Sequence, residues 1–155
     1  MKYDISALGN ALVDTQYKVD HDFLNSFGLE ADAMTLASSE EQAPIIKKLI
    51  EIGSESMSDC GGSATNSLVA AANYGSNCHH VCRVADDEDG KKYLDSLRSA
   101  GVKHIGVSEE NTDMPTGKCL ILGTPDAKRT LIRMLVVRAF LGSSDIDYDV
   151  VQNSK

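Results

Sequence analysis

The chain predicts an α/β fold with a mostly parallel sheet covered by helices. Three observations carry this expectation. Short apolar runs of strand length alternate with segments whose apolar residues recur at helical spacing. Capping residues and glycine stops bracket the helical segments. The composition, 42% hydrophobic and 25% charged over 155 residues, is that of one ordinary domain large enough to bury a core.

The elements follow in order. Tyr3 to Leu8 is a short apolar run ending at the Gly9-Asn10 turn, so it predicts a first strand. Val13 to Val19 alternates as a half-exposed strand does. Ser38 or Ser39, followed by Glu41 and Gln42, forms a helix-start pattern. Ile45, Ile46, Leu49 and Ile50 continue it at helical spacing, and Gly53 ends it. Pro44 is expected in the first turn, where no N–H is needed. A second helix is expected from Ser63 to Tyr74, between Gly61-Gly62 and Gly75, packing through Leu68, Ala71 and Ala72. His79 to Val84 predicts a strand, and Asp87 to Ser99 a helix with Leu94 and Leu97 inward and Gly101 as its stop. The acidic run Asp86 to Asp89 lies where a helix N-terminus favours negative charge. Thr116 to Leu122 and Arg129 to Val137 predict a hairpin across the four residues Thr124 to Ala127, and Asp145 to Val151 opens a last helix.

Asp plus Glu number 23 against 15 Lys plus Arg, a net charge of −8. A polyphosphate surface repels such a chain, so no nucleic-acid partner is expected. No apolar run reaches the roughly 18–20 residues a bilayer requires, and the longest, Leu131 to Leu141, carries Arg133 and Arg138. No membrane partner is therefore expected. Asp4 interrupts the N-terminal run, so the expected location is cytoplasmic. Cys60, Cys78, Cys82 and Cys119 are then not a disulfide framework. On a strand, Cys78, His80 and Cys82 would share one face. Zinc sites generally use tighter pairs from turns plus ligands from a second segment, so a buried strand and no metal is the expectation.

The dinucleotide glycine fingerprint, the P-loop and the nucleophile-elbow serine motif are all missing from the sequence. Two polar segments remain. In Gly9-Asn10-Ala11-Leu12-Val13-Asp14, an ionised Asp14 has about four lone-pair sites for two vicinal hydroxyls, and Asn10 both donates and accepts. In Asp59-Cys60-Gly61-Gly62-Ser63-Ala64-Thr65-Asn66, two residues without Cβ let backbone approach a ligand. The N–H groups of the following helix start would point at it, with Asn66 in reach. Together they would suit a polyhydroxylated small molecule. Each alone is also compatible with a plain turn, a cap or a salt bridge.

In this order, and with the later hairpin, the segments resemble the pfkB, or ribokinase-like, family of carbohydrate kinases. The resemblance rests on Gly9, Asn10 and Asp14; on Gly61 to Asn66 followed by an alanine-rich helix; on Arg83 to Gly90; on Ala100-Gly101-Val102; and on Thr116 to Cys119. Thr116-Gly117-Lys118-Cys119 with Arg129-Thr130-Leu131 is more similar to the adenosine-kinase-like branch. The resemblance implies a three-layer Rossmann-type α/β fold, here the N-terminal part of its sheet, with a small β lid near residues 15–19, 33–36 and 57–60. It implies an ATP-dependent, Mg2+-assisted kinase acting on a sugar or nucleoside hydroxyl. Asp14 would hold ribose-type hydroxyls, Asn10, Gly61, Gly62, Ser63 and Asn66 would complete the cradle, Cys119 would line the pocket, and Arg129 would approach the transferred phosphate. A homodimer through the lid is also implied.

Two departures qualify what is expected. The family's Asp-Thr-x-Gly-Ala-Gly-Asp motif, with its catalytic base and anion hole, does not occur in this sequence. The chain is thus expected to be the acceptor half, residues 1–155, without tight ATP binding and inactive alone. A non-catalytic binding or interaction module derived from the fold is the alternative. The second departure is Ile132 to Ala139, where relatives carry a Leu-Gly step and this chain has Leu135-Val136-Val137.

Overall fold

The structure is a computed structural model that describes residues 2–109, 115–134 and 142–155. In chain order these form β1 (Ile5–Leu8), β2 (Leu12–Lys18), α1 (His21–Ser26), β3 (Met34–Leu36), α2 (Ser39–Glu51), β4 (Ser56–Gly61), α3 (Ser63–Asn73), β5 (Cys78–Ala85), α4 (Glu88–Ser99), β6 (Lys103–Glu109), β7 (Lys118–Gly123), β8 (Arg129–Met134) and α5 (Tyr148–Gln152). The chain divides into two compact units, one of Met1–Val13, Cys60–Gly117 and Val136–Lys155, the other of Asp14–Asp59 and Lys118–Leu135.

The first unit holds a parallel sheet in the order β1-β5-β6, with Ala7 opposite His80 and His80 opposite His104. β5 is buried along nearly its whole length, Cys78 through Cys82 without a break. A strand covered on both faces needs no polar alternation, so it reads as a continuous run. Leu68 of α3 and Tyr93 and Leu97 of α4 pack with Cys78, Cys82, Val84 and Val102 into one core. Fully burying one such leucine is worth about 1.5–3 kcal/mol.

The second unit carries most of a mixed sheet ordered β3-β8-β7-β2-β4. β3 runs parallel to β8 and β7 antiparallel to it. On β8, Thr130, Ile132 and Met134 are buried while Arg129, Leu131 and Arg133 take the other face, as period-two alternation demands. Ile132, Leu120 and Leu122 meet Val19, Phe23, Leu24, Ile45 and Leu49 in a second core.

Local chemistry fixes most element ends. Ser38 and Glu41 form a capping box at the start of α2. Gly53 closes α2 at φ 65°, and the N–H of Ser54 reaches the Leu49 carbonyl at 3.0 Å. Asp87, inside the acidic run, is the N-cap of α4 and accepts from the Gly90 N–H at 2.7 Å.

Several expectations are corrected. Pro44 is the sixth residue of α2, not a first-turn residue, because the capping box starts the helix at Ser39. The intrahelical bond lost there would fall to Glu40, on the exposed side of the helix. Ile50 continues the apolar spacing yet is 69% exposed. On α4 it is Tyr93, with Leu97, that is fully buried, while Leu94 is only partly so. The hairpin connection is five residues, Thr124 to Lys128, because Gly123 still pairs with Arg129. The last helix begins at Tyr148, and a 3-10 turn at Ser143–Asp145 precedes it. α1 and β6 were not expected at all. The predicted strand residues 135–137, and residues 135–139 of the second departure, lie outside the described residues.

Three histidines of the first unit, His79, His80 and His104, have pKa values lowered chiefly by burial, against the ordinary 6.5. The unfolded chain therefore binds protons that the folded one refuses. Their contribution to stability is complete above about pH 6.5 and drains away as pH falls through the lowered folded values. Melts followed by circular dichroism should show the thermal midpoint dropping between pH 7.5 and 5, before carboxylate titration begins. A midpoint that holds level or rises over that range contradicts the assignment.

Candidate functional site

The first unit brings the Gly9-Asn10 turn against the start of α3. The Gly9 N–H donates to the Val81 carbonyl at 3.2 Å, which ends β1 beside β5. A Cβ on Gly9 would lie 2.6 Å from the Ala64 Cβ, closer than two carbons can approach. Gly62, at φ 107° and ψ 136°, is the N-cap of α3, and its own Cβ would sit 2.8 Å from the Asn10 carbonyl oxygen. Both contacts exist because glycine stands there. Gly62 offers no side-chain cap, so the first N–H groups of α3 have no local side-chain acceptor. Asn10, Ser63 and Asn66 are exposed around this corner, Gly62 is half-buried and Gly61 is buried. The Asn66 N–H makes the ordinary helical bond to the Gly62 carbonyl at 2.9 Å, leaving its amide side chain outside.

A clamp fixes the neighbouring loop. Asp87 accepts from the Thr116 N–H at 2.8 Å and from the Thr116 hydroxyl at 2.7 Å. Thr116 Oγ1 in turn accepts from the Ala85 N–H at 3.0 Å. The Arg83-to-Gly90 and Thr116-Gly117 segments are thereby held together at the C-terminal end of β5.

The second unit gathers the remaining sequence-predicted residues on strands. Asp14 is half-buried on β2, and its carboxylate makes no hydrogen bond or ion pair with any described residue. Burial pushes its carboxyl above the usual carboxylate value, Arg129 and Arg133 pull it down, and Asp59 pushes it up again. Cys119 of β7 is 3% exposed and sits opposite Arg133 of β8. Burial first, and then the Asp14 charge, push its thiol up to about 11, so it is a neutral packing group rather than a thiolate nucleophile. Arg129 is exposed at the start of β8.

Sequence reasoning missed Arg133 as an electrostatic partner of Asp14. Its Nε is buried without a hydrogen-bond partner among the described residues. The signal was in the sequence, since Arg129 and Arg133 are four apart on a strand and so share a face. Of Cys78, His80 and Cys82, all are fully buried, and among the described residues no group of three metal-ligating side chains forms a metal site. Also among the described residues, no helix is long and apolar enough to cross a membrane.

Comparison with known proteins bears on this geometry. The profile of the pfkB family carbohydrate kinases matches residues 31–138. Comparison with curated proteins finds no match. Among solved structures, a probable sugar kinase from Rhizobium etli CFN 42 is 27% identical with a TM-score of 0.85, over 100% of this chain and 46% of that one. The adenosine kinase of Sinorhizobium meliloti is 28% identical with a TM-score of 0.82, over 100% of this chain and 46% of that one. The adenosine kinase of Anopheles gambiae, solved in complex with P1,P4-di(adenosine-5) tetraphosphate, is 25% identical with a TM-score of 0.83, over 97% and 48%. The chain thus spans about half the length of the solved structures it matches. With a match over 108 of its 155 residues (138 − 31 + 1), and with the ribokinase-like α/β fold of these sugar and adenosine kinases, the chain belongs to the pfkB family of carbohydrate kinases.

Proposed function

We propose that this chain is the acceptor-binding part of an ATP-dependent kinase that phosphorylates a sugar or nucleoside hydroxyl. The observation that carries the reading is Asp14, a half-buried carboxylate that has no hydrogen-bond or ion-pair partner among the described residues and on which two arginines act at longer range. Such a group is costly to bury unless donors meet it, and vicinal hydroxyls are donors. Asn10, Gly61, Gly62, Ser63 and Asn66 supply backbone approach and amide or hydroxyl contacts. Cys119 supplies an apolar wall, and Arg129 is suited to the transferred phosphate, because phosphoryl transfer is chiefly positioning and charge stabilisation. The 28% identity to an adenosine kinase and 27% to a probable sugar kinase support either acceptor class.

ATP is the phosphoryl donor the family implies, and Mg2+ its metal. The described residues offer no cluster of three carboxylate, imidazole or thiolate ligands for a metal. The residues assigned here act on the acceptor alone. The Asp-Thr-x-Gly-Ala-Gly-Asp motif does not occur in the sequence. General-base catalysis is worth roughly 10²–10⁴-fold, so the 155-residue chain is proposed to bind acceptor without turning it over. Cys60, Cys78, Cys82 and Cys119, none of them in a disulfide, fit a reducing, cytoplasmic location. A homodimer through the lid belongs to the same reading, since Met34, Leu36 and Met57 leave apolar surface on the two edge strands of the mixed sheet.

Calorimetric titration with adenosine, ribose and fructose tests the reading. One of the three is expected to bind, and Asp14→Ala to weaken that binding by roughly 100-fold or more, the worth of two hydrogen bonds to a charged acceptor. Undiminished binding by Asp14→Ala removes Asp14 from the site. Phosphoryl transfer from ATP by the 155-residue chain contradicts the division of labour proposed here.

A further inference from the structure

We infer that His80 is a positioning residue for the acceptor corner, acting through Thr65 and Tyr93 from beneath it. This rests on the acceptor reading above. His80, Thr65 and Tyr93 are 0%, 2% and 0% exposed, so none of them touches a ligand in solvent. His80 Nδ1 lies 3.1 Å from the Ala7 carbonyl oxygen. A carbonyl only accepts, so Nδ1 carries the proton and Nε2 is left as a lone pair. The Thr65 hydroxyl is 3.1 Å and the Tyr93 hydroxyl 3.4 Å from that Nε2, and the two hydroxyls are hydrogen-bonded to each other. The shortest of these contacts form one directed chain. Tyr93 donates to Thr65, Thr65 donates to His80, and His80 donates to Ala7. The order can reverse between the two hydroxyls without changing the imidazole tautomer.

The two partners that His80 joins, Ala7 and Thr65, belong to the two halves of the corner. Ala7 is two residues before Gly9, whose backbone abuts Ala64, and Thr65 stands between Ala64 and Asn66 in the first turn of α3. Because α3 has no side-chain cap, Thr65 is the polar anchor that sets where its first turn sits over the sheet. A binding constellation must be held to about half an ångström, and it is held by partners that do not themselves touch the ligand. A valine at position 65 would keep the shape and remove the hydroxyl. A phenylalanine at position 93 would do the same one bond further from the ligand.

The experiment compares wild type with Thr65→Val, Tyr93→Phe and Thr65→Ser. It uses calorimetry with adenosine, ribose and fructose, thermal melts, and ¹⁵N spectra of the histidine ring and backbone amides. Thr65→Val and Tyr93→Phe are expected to weaken binding by about tenfold or more, and Thr65→Ser to restore it to within about threefold. The His80 ring should report the Nδ1–H tautomer, and the amides of Gly9, Asn10 and Asn66 should shift in both hydroxyl-deleting variants. Lower melting temperatures with wild-type affinity would make the network merely structural and overturn the proposal, as would an Nε2–H ring. If wild type binds none of the three probes, the acceptor reading fails. The spectra then decide the positioning claim alone, and amides unmoved at Gly9, Asn10 and Asn66 end it. Should Thr65→Val fail to fold, Tyr93→Phe carries the test.

Discussion

Gly90→Ala is expected to destabilise the protein by about 3 kcal/mol or more, a fall of roughly 6–12 °C in thermal midpoint for a chain of this size. Gly90 is buried in the first turn of α4. A Cβ there would lie 2.2 Å from the Ala85 carbonyl oxygen, 2.9 Å from Thr116 Oγ1 and 3.1 Å from Asp87 Oδ1. None of the three can retreat freely. The carbonyl is backbone at the end of β5. The other two atoms belong to the clamp in which Asp87 accepts from Gly90 and twice from Thr116 while Thr116 accepts from Ala85. The methyl group must either strain the strand end or break bonds to a charged acceptor, each worth about 1.5–3 kcal/mol. Thermal melts of the variant check this, and a loss below about 1 kcal/mol would mean that the loop yields far more easily than its bonding suggests.

Gly62→Ala should be the second severe change, at about 2–3 kcal/mol. Two costs combine. The backbone at φ 107°, ψ 136° is one that side-chain-bearing residues rarely adopt, and the added Cβ would press on the Asn10 carbonyl at 2.8 Å. The two variants differ in what else they do. Gly90 braces the far end of β5, whereas Gly62 lies in the corner proposed to bind the acceptor, so Gly62→Ala should also weaken acceptor binding in the protein that remains folded. Urea titration measures the stability term and calorimetry the binding term. A variant within about 0.5 kcal/mol of wild type would show that the α3 start relaxes to accept a side chain.

Much of the fold was legible because it is set locally. The capping box of Ser38 and Glu41, the Asp87 cap and the Gly53 stop act within a few residues of themselves, and each is where the sequence pattern put it. What was missed has no local signature. β6 reads Lys-His-Ile-Gly, without useful alternation, and is a strand because seven residues pair with β5. α1 is only six residues long, held by the Asp20 cap and by burial of Phe23 and Leu24. A helix that short gains little from propensity and depends on packing.

The same division runs through the candidate site. Residue chemistry alone singled out Asn10, Asp14 and the Gly61–Asn66 segment, and strand periodicity could have added Arg133 to Arg129. Nothing in the sequence pairs Thr65 with His80, 15 residues on, or His80 with Ala7, 73 residues back. By itself the sequence determined the ends of α2, α3 and α4, the family likeness and which atoms could meet a polyol. Only the tertiary structure decided which buried partner satisfies which polar group. Caps and periodicities act through neighbouring residues, whereas a buried hydrogen bond is chosen by whatever the folded chain brings within about 3 Å.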